Sequence, residues 1–424
     1  MSPTFGSLRI RNYRLFASGQ VVSLTGTWMQ RVAQDWLVLQ LTGSGVAVGI
    51  TTGLQFLPLL LFGLYGGILA DRYPKRRTLL ITQVAMGLVA LTLGLLTVTG
   101  AVTVQHVYLL ALLLGVITAV DTPVRQAFVT ELVGREHVAN AVGLNSATFN
   151  AARVLGPAVA GLIITVGGTG PVFLVNAASF AAVVAGLALM HDEELFVGER
   201  PVGRRPGQFR EGLGYVARRP DLLWPIVLVG VIGTFGLNFQ MTTALMVTDV
   251  FRRDAAAYGL LSSSLAFGSL IGALLAARRE EPRQRWLIGA ALAFGLLEVA
   301  AGLMPSYTAF MVWLVPTGVA ILTFTTTANA TVQLGADAAM RGRVMGLYVL
   351  VFLGGTPIGA PFMGWVAERF GPRWSLVGGG LVCALAALVV GVLLLRARGL
   401  VIRAHVRPRP HLHVVTAQDL HDAA

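Results

Sequence analysis

Long apolar segments separated by short polar breaks recur along the whole chain. A helix needs about 20 mostly apolar residues to cross roughly 30 Å of hydrocarbon. Because lipid offers backbone groups no hydrogen-bond partners, such segments are predicted to be helices, whereas a barrel would show alternating segments of about ten residues. We number the predicted segments as spans 1 to 12: Leu15–Leu41, Val46–Ala70, Thr78–Thr99, Val107–Phe128, Ala139–Val166, Val172–Met190, Leu222–Val247, Gly259–Ala277, Trp286–Met304, Thr308–Leu334, Val344–Ala367 and Trp374–Leu395.

The composition indicates the same class of protein. Apolar residues make up 55% of the chain and charged residues 12%, and the mean hydropathy is +0.72. These values lie outside the range of water-soluble domains. The sequence therefore predicts an all-α integral membrane protein.

The basic residues are distributed unequally between the two sides of the predicted bundle. Of the 32 lysines and arginines, 26 fall on the side shared by both termini, 4 fall on the opposite side, and Arg31 and Arg153 lie within spans. Short cytoplasmic loops carry the excess of basic residues, so both termini are predicted to be cytoplasmic. Arginines at span ends, facing anionic lipid headgroups, explain the net charge of +12 without a nucleic-acid partner.

The sequence does not indicate a metal or nucleotide site. Cys383 is the one cysteine, which leaves no intrachain disulfide or thiolate cluster. Lys75 is the one lysine and does not follow a glycine-rich phosphate loop, so ATP hydrolysis of the Walker type is excluded. His411 and His413 are neighbours in the tail, where a solvated segment is favoured over a metal site.

The two halves of the chain resemble each other. Spans 4 and 5 align with spans 10 and 11 at an offset of 203 residues, which pairs Gly115 with Gly318 and Gly143 with Gly346. Six spans per half make the repeats parallel, as in transporters whose two bundles rock around a central site. The predicted domains are two bundles at residues 1–190 and 222–400, a linker at 191–221 with an amphipathic surface helix at Gln208–Arg219, and a cytoplasmic tail at 401–424.

The break between spans 2 and 3 reads GGILADRYPKRR, from Gly66 to Arg77. It resembles the loop motif of the major facilitator superfamily, with Pro74 in place of the usual glycine. The resemblance implies twelve transmembrane helices in two six-helix, pseudo-symmetric bundles. It also implies that the loop is a gate, in which Asp71 faces the positive end of a helix in the other half. The gate residues would be Gly67, Asp71, Arg72, Arg76 and Arg77, with Asp121 as the predicted partner of Arg72 or Arg76. The alternative is an ordinary basic loop.

Span 5 carries small residues and a proline at regular spacing, namely Gly143, Ala152, Gly156, Pro157 and Gly161. This pattern resembles the antiporter signature of drug:proton exporters in the superfamily, with two of its glycines replaced by alanine. Small residues let helices approach closely and a proline bends a helix, although generic packing is the alternative explanation.

Nearly the whole chain resembles the transmembrane secretion effector branch of the superfamily, which includes the enterobactin exporter and drug efflux pumps. The resemblance is carried by LTGSG at Leu41–Gly45, DTPVRQAF at Asp121–Phe128 and ARVLGPAVAG at Ala152–Gly161. It implies export driven by a proton gradient, without a cofactor. Span 4 lacks the arginine of many drug:proton antiporters, so that proton relay is not carried over.

Charged residues inside spans are costly and are functional candidates. Arg31 and Asp35 lie four residues apart, hence on one helix face, and are able to pair. Asp35 is the predicted proton-responsive carboxylate, with Arg31 and Arg153 as its modulators or as substrate contacts. A static ion pair that fixes helix packing is the alternative. Glu298 in span 9 is a second candidate for proton coupling, against a neutral packing contact.

Polar residues concentrate in particular spans, and polar spans are expected to face a cavity. The predicted lining residues are Gln34, Trp36, Asn238, Gln240 and Asn329. Aromatic rings with a few directing polar groups suit amphipathic ligands.

The sequence thus predicts a secondary transporter of the bacterial inner membrane that exports small amphipathic organic molecules by proton antiport. It is predicted to act as a monomer, with a small-molecule substrate, protons and the lipid bilayer as partners. A proton symporter that imports a solute is the alternative, because fold does not fix direction. A membrane-embedded enzyme is disfavoured, since no paired acids or histidine clusters lie within the spans.

Overall fold

The computed structural model describes residues 3–196, 208–277, 284–397, 400–405 and 411–416. Twelve long helices correspond to the twelve predicted spans. Their bounds are Arg11–Thr42, Gly45–Arg72, Lys75–Val98, Val104–Gly134, Glu136–Gly167, Thr169–Ala188, Pro220–Val250, Ala255–Ala277, Gln284–Leu303, Tyr307–Gly335, Arg341–Phe370 and Pro372–Ala397. Short 3₁₀ helices at Pro3–Arg9 and Asp192–Glu194 flank the first half, and a linker helix covers Gln208–Ala217.

Within the described residues, 11 helices are long and apolar enough to cross a membrane. Span 1 is the exception, although its 32 residues suffice by length. Its hydropathy is lowered by polar residues that include Gln30, Arg31, Gln34 and Asp35, three of which are buried inside the protein. Span 1 is therefore polar because it faces other helices of the bundle rather than lipid.

Spans 4 and 5 run into each other with one break. Gly134 has a φ of 68°, in the left-handed region that favours glycine, and this residue separates the two helices. Both helices extend beyond the predicted spans 4 and 5, so that the turn between them is very short.

Span 7 is interrupted near its middle. Its first part ends at Phe235, a second helical segment covers Phe239–Leu245, and a π-helical turn follows at Met246–Val250. Discontinuous helices at the midplane free backbone groups for a central site in other transporters.

The internal repeat predicted from the sequence is visible in the packing. Gly115 of span 4 lies against the backbone carbonyl of Gln55 in span 2. Its repeat partner, Gly318 of span 10, lies against the carbonyl of Leu265 in span 8. The same close approach of two helices is therefore made once in each half, which supports two related six-helix bundles.

The two halves touch each other at one side of the bundle. We call the side that holds both chain ends the terminal side and the opposite one the distal side. Toward the distal side, Gly49 of span 2 lies against the carbonyl of Ala360 in span 11, and Gly259 of span 8 lies against the carbonyl of Pro157 in span 5. Toward the terminal side, the repeat partners Gly143 and Gly346 face open space, since an added Cβ would meet nothing within 4 Å. The close glycine contacts between the halves therefore lie toward the distal side, and the corresponding glycines near the terminal side make none.

The linker helix docks on the second half. Glu211 forms a 2.6 Å ion pair with Arg343, and the Tyr215 hydroxyl donates a 2.8 Å hydrogen bond to Asp337. Val216 is buried, whereas Leu213 is exposed. The linker helix is therefore anchored to protein through polar residues as well as through Val216.

The tail contains a two-stranded antiparallel hairpin, which the sequence pattern did not predict. Its strands are Leu400–His405 and His411–Thr416. The side chains of His411 and His413 lie outside the described residues.

Candidate functional site

A cavity of about 270 Å³ lies between the two halves. Its lining residues from the first half are Trp28, Val32, Arg153 and Pro157, and those from the second half are Leu237, Phe239, Gln240, Thr243, Ser262, Leu265, Ala266, Ile321, Leu322, Thr325 and Phe352. The interrupted part of span 7 contributes Leu237, Phe239 and Gln240. The lining is mainly apolar with a few polar groups, the composition typical of sites for small organic ligands.

Only one of the five residues predicted to line the cavity lies among these lining residues, namely Gln240. Gln34 is buried within span 1, and Trp36 stacks on Tyr258 with ring centroids 6.1 Å apart. Asn238 donates a 2.8 Å hydrogen bond to the carbonyl of Thr234 at the interruption of span 7, and Asn329 hydrogen-bonds Tyr348. These four side chains lie outside the cavity lining, and Oδ1 of Asn238 has no hydrogen-bond partner among the described residues.

Asp35 lies at the boundary between the halves. Its side chain is 5% exposed, and Oδ2 accepts a 3.0 Å hydrogen bond from the hydroxyl of Tyr258 in span 8. The same hydroxyl lies 3.1 Å from the carbonyl of Gln240. Sequence reasoning missed Tyr258 because the predicted span 8 begins at Gly259, whereas the helix begins at Ala255 and places Tyr258 in its first turn.

Arg31 and Asp35 form no direct ion pair in this conformation, although the two charges attract each other along span 1. The guanidinium carbon of Arg31 lies 4.7 Å from the ring centroid of Trp28 and 5.7 Å from that of Phe56. Long helical side chains point back toward the helix N-terminus, which carries Arg31 toward Trp28. Asp35 instead accepts a hydrogen bond from Tyr258 of the other half.

Arg153 approaches Trp28 from span 5. Its guanidinium carbon lies 5.7 Å from the Trp28 ring centroid, and Phe149 packs edge-on against the same ring at 5.7 Å. We call Trp28, Arg31, Phe149 and Arg153 the Trp28 cluster. It brings together two of the charged residues singled out in the sequence.

Gly156 of the antiporter motif makes this approach possible. A Cβ at Gly156 would lie 2.6 Å from Cβ of Trp28 and 3.3 Å from the amide nitrogen of Met29. Gly161 lies against the backbone of Ala255, and Ala152 is buried. Close helix contact is therefore present along the motif except at Gly143, which faces open space.

Glu298 lies apart from the cavity, in the interior of the second half. Its side chain is 2% exposed, and Oε2 has no hydrogen-bond partner within the described part of the chain. Oε1 faces Gly379 of span 12. The structure thus does not bring Glu298 together with Asp35.

The loop motif between spans 2 and 3 is described in part. The side chain of Asp71 and the surroundings of Gly67 lie outside the described residues, and Arg72 and Arg77 are exposed. Arg76 pairs with Asp192 at 2.6 Å and donates to the carbonyls of Leu187 and Ala188 at 2.7 and 2.9 Å. Arg76 therefore joins the start of span 3 to the end of span 6.

The predicted pairing of Asp121 with Arg72 or Arg76 is wrong in this conformation. Asp121 forms a 2.9 Å ion pair with Arg125, one turn further along span 4. It also accepts hydrogen bonds from Thr82 and Gln83 of span 3, at 2.7 and 2.8 Å. Asp121 is fully buried inside the first half, and none of its contacts is to the loop arginines Arg72 or Arg76.

A contact that the sequence did not predict joins the halves at the distal end. The hydroxyl of Ser44 and the backbone N–H of Val46 both donate to Oε1 of Glu368 in span 11, the latter at 3.0 Å. Ser44 also caps span 2 by accepting from the N–H of Ala47. The carboxylate thus lies at the positive N-terminal end of span 2, where a negative charge is stabilised. We call this contact the distal latch.

Comparison with known proteins gives consistent matches over nearly the whole chain. The family of transmembrane secretion effectors matches residues 2–419. The enterobactin exporter EntS of Escherichia coli K12 is 27% identical, over 96% of this chain and 95% of that protein. The staphyloferrin A transporter of Staphylococcus aureus is 26% identical, over 62% of this chain and 66% of that protein.

Solved structures with the same architecture are more distant in sequence. A bacterial homolog of the human lysosomal transporter Spinster, in an inward-facing and unoccupied conformation, gives a TM-score of 0.73 at 18% identity, over 93% of this chain and 97% of that chain. A D-xylose–proton symporter gives a TM-score of 0.70 at 14% identity, over 89% and 96% of the two chains. These similarities show that the fold is that of the major facilitator superfamily.

Proposed function

Because this chain belongs to the transmembrane secretion effector family, we propose that it exports small organic molecules from the bacterial cytoplasm in exchange for protons. The observation that carries the proposal is the cavity between the two halves, together with a buried acid at their boundary, Asp35, which is hydrogen-bonded to Tyr258. A site between two rocking bundles is the architecture of alternating access.

The position of the contacts between the halves supports loading from the cytoplasm. The excess of basic residues assigns the terminal side to the cytoplasm, with both termini inside. The halves meet on the distal side, through Gly49 with Ala360 and through the distal latch. In this conformation a substrate enters from the cytoplasm, and export requires the distal contacts to break.

Asp35 links proton exchange to this movement. In the present conformation its carboxyl is turned toward Tyr258 of the other half. When the halves part on the distal side, that hydrogen bond is lost and the carboxyl faces external water, from which it takes a proton. When the halves meet again the proton is released toward the cytoplasm. Antiport requires at least one carboxyl that is open to external water in one conformation and to the cytoplasm in the other.

The relatives support a siderophore or drug-like substrate. One relative is an enterobactin exporter and another is a staphyloferrin A transporter. The mainly apolar lining, with Gln240, Thr243 and Arg153 as directing groups, is compatible with an amphipathic compound of that kind. The protein acts as a monomer in the cytoplasmic membrane and requires no ATP or cofactor.

Transport by membrane vesicles of opposite orientation tests the proposal, with radiolabelled enterobactin as the probe. We expect accumulation in inside-out vesicles with an acidic interior, and its loss when a protonophore collapses the gradient. Vesicles that lack the protein are the control. Accumulation only in right-side-out vesicles with an acidic exterior would establish the alternative, a proton symporter that imports its solute. Accumulation that continues after the protonophore has collapsed the gradient would exclude proton coupling.

A further inference from the structure

We propose that the transported molecule carries an anionic group, and that this group binds between Arg31 and Arg153 beside Trp28. The proposal rests on the proposed function in one respect, because it takes the cavity between the halves as the substrate path. It adds a charge requirement, which separates oxygen-rich organic anions from the cationic amphiphiles that an exporter of this fold could equally carry.

The geometry of the Trp28 cluster places two positive charges close together. The guanidinium carbons of Arg31 and Arg153 lie 4.7 and 5.7 Å from the same Trp28 ring centroid, and are therefore no more than about 10.4 Å apart. Trp28 and Arg153 line the cavity. A group held between the two arginines would contact both the aromatic ring and the open volume.

In the part of the chain that the structure describes, no carboxylate forms a direct ion pair with either arginine, although Asp35 attracts Arg31 from a longer distance. Neither Arg31 nor Arg153 takes part in an ion pair there, and the cavity lining contains no aspartate or glutamate. Asp35, one helical turn from Arg31, is turned toward Tyr258 instead. The Nε of Arg31 is buried without a hydrogen-bond acceptor among the described residues.

Two unpaired cations inside a membrane protein are costly, and like charges at short range repel each other. Contact with the Trp28 ring compensates only in part, because a cation–π contact is weaker than a charge-assisted hydrogen bond. An anionic ligand removes both costs at once. Carboxylate, catecholate and phenolate oxygens also match the planar donor fork of a guanidinium.

The aromatic members of the cluster favour a planar group next to the charge. Trp28 and Phe149 meet edge to face, and Phe56 lies 5.7 Å from the Arg31 guanidinium. A ring that bears its anionic oxygens at one edge can stack against these side chains while its oxygens face the arginines. The same arrangement repels a quaternary ammonium or phosphonium ion, although aromatic cages without arginine attract such ions.

Saturation-transfer NMR on the purified full-length protein in detergent tests the proposal without requiring transport. The probes are salicylate, its uncharged analogue salicylamide, and the cation tetraphenylphosphonium. We expect salicylate to bind at least about tenfold more tightly than salicylamide, since one charge-assisted contact is worth at least that factor. Tetraphenylphosphonium binding equal to or tighter than salicylate binding would overturn the proposal, as would equal binding of salicylate and salicylamide.

Substitutions then assign the effect to the two arginines. Arg31→Gln and Arg153→Gln should each weaken salicylate binding about tenfold or more and leave salicylamide unchanged. Arg253→Gln is the matched control, because Arg253 also lies over an aromatic ring, Tyr307 at 5.6 Å, but does not line the cavity. Salicylate affinities equal to wild type in both Arg31→Gln and Arg153→Gln would refute the assignment.

Lysine variants and the export assay separate a folding defect or a failed transport proposal from a failure of the anion site. If a glutamine variant does not elute as a monodisperse protein, Arg31→Lys and Arg153→Lys retain the charge and should retain most of the preference for salicylate over salicylamide. Failure of export in vesicles would refute the proposed function and leave the binding result intact. Export of enterobactin by a protein that prefers tetraphenylphosphonium to salicylate would refute the anion site alone.

Discussion

The hydroxyl of Tyr258 donates a 3.0 Å hydrogen bond to Oδ2 of Asp35, between residues 223 positions apart in the sequence and in different halves of the protein. Both side chains are buried, and the Tyr258 ring stacks on Trp36, the neighbour of Asp35. This contact exists only while spans 1 and 8 are together. In the proposed mechanism, this one pair of atoms couples the protonation of Asp35 to the closure of the distal side.

Neutralising Asp35 should uncouple transport from the proton gradient. In Asp35→Asn we expect gradient-driven efflux from proteoliposomes to fall to the level of empty liposomes, while substrate binding by the purified protein is retained with altered pH dependence. Glu298→Gln is the matched control, since Glu298 is equally buried but lies away from the cavity. Wild-type efflux by Asp35→Asn would mean that Glu298 is the coupling residue or that an ion other than the proton drives transport.

Removing the Tyr258 hydroxyl should weaken distal closure while leaving the ring stack in place. We expect Tyr258→Phe to shift the conformational equilibrium by about 1.5–3 kcal/mol toward the outward-open state, because a hydrogen bond to a charged acceptor is lost. Spin-label distances across the distal ends of spans 1 and 8 would measure the shift. Tyr307→Phe is the control, since the Tyr307 hydroxyl donates to the carbonyl of Ala257 without joining the two halves. Unchanged distances in Tyr258→Phe would contradict the coupling.

The sequence predicts the fold well because hydrophobic length and charge asymmetry are properties of single segments. The predicted spans 4 and 5 end short of Gly134, since their helices continue past the hydrocarbon and periodicity does not report where a turn begins. Asp35 could be singled out because an acid within a span is rare. Its partner could not, because Tyr258 is brought to it only by the packing of spans 1 and 8.

The pairing of Arg31 shows a different limit of sequence reasoning. Residues four apart on a helix lie on one face, so Arg31 and Asp35 are within reach of each other. In the protein each finds another partner, the Trp28 ring for Arg31 and Tyr258 for Asp35. Helical spacing thus predicts which groups are neighbours, whereas the competing side chains of other spans decide which contacts form.

The loop motif should act in the conformation opposite to the one described. We expect Asp71→Ala and Arg72→Ala to insert into the membrane normally and to lose most of their transport, because the loop stabilises the state in which the terminal side is closed. Efflux per molecule of protein, normalised by immunodetection in the membrane, measures this. Arg77→Ala tests whether any basic residue of the loop has the same effect. Full transport by well-expressed Asp71→Ala would contradict the gate.

The distal latch should favour the conformation described here. Replacing Glu368 by Gln removes the charge that faces the N-terminal end of span 2, a change worth about 1 kcal/mol or roughly a fivefold shift in population. We expect longer spin-label distances between the distal ends of spans 2 and 11. Arg369→Gln changes the charge at the adjacent exposed position and should leave these distances as they are. Ser44→Ala should act in the same direction as Glu368→Gln, and the double variant should add little, because both remove one contact.

Gly156 should be the position in the antiporter motif that is most sensitive to an added methyl group. A Cβ there would lie 2.6 Å from Cβ of Trp28, so span 5 and span 1 must separate in Gly156→Ala. We expect a loss of about 1–3 kcal/mol in the free energy of unfolding, as for other overpacked sites, and a weaker binding of salicylate, because Arg153 and Trp28 move apart.

Gly143→Ala is the matched control within the same motif, since an added Cβ at Gly143 meets nothing within 4 Å. Denaturant titrations of both variants in detergent, followed by the same NMR binding measurement, would check the prediction. Equal losses in the two variants would show that the motif restricts helix conformation along its whole length, and that the contact between Gly156 and Trp28 has no special role.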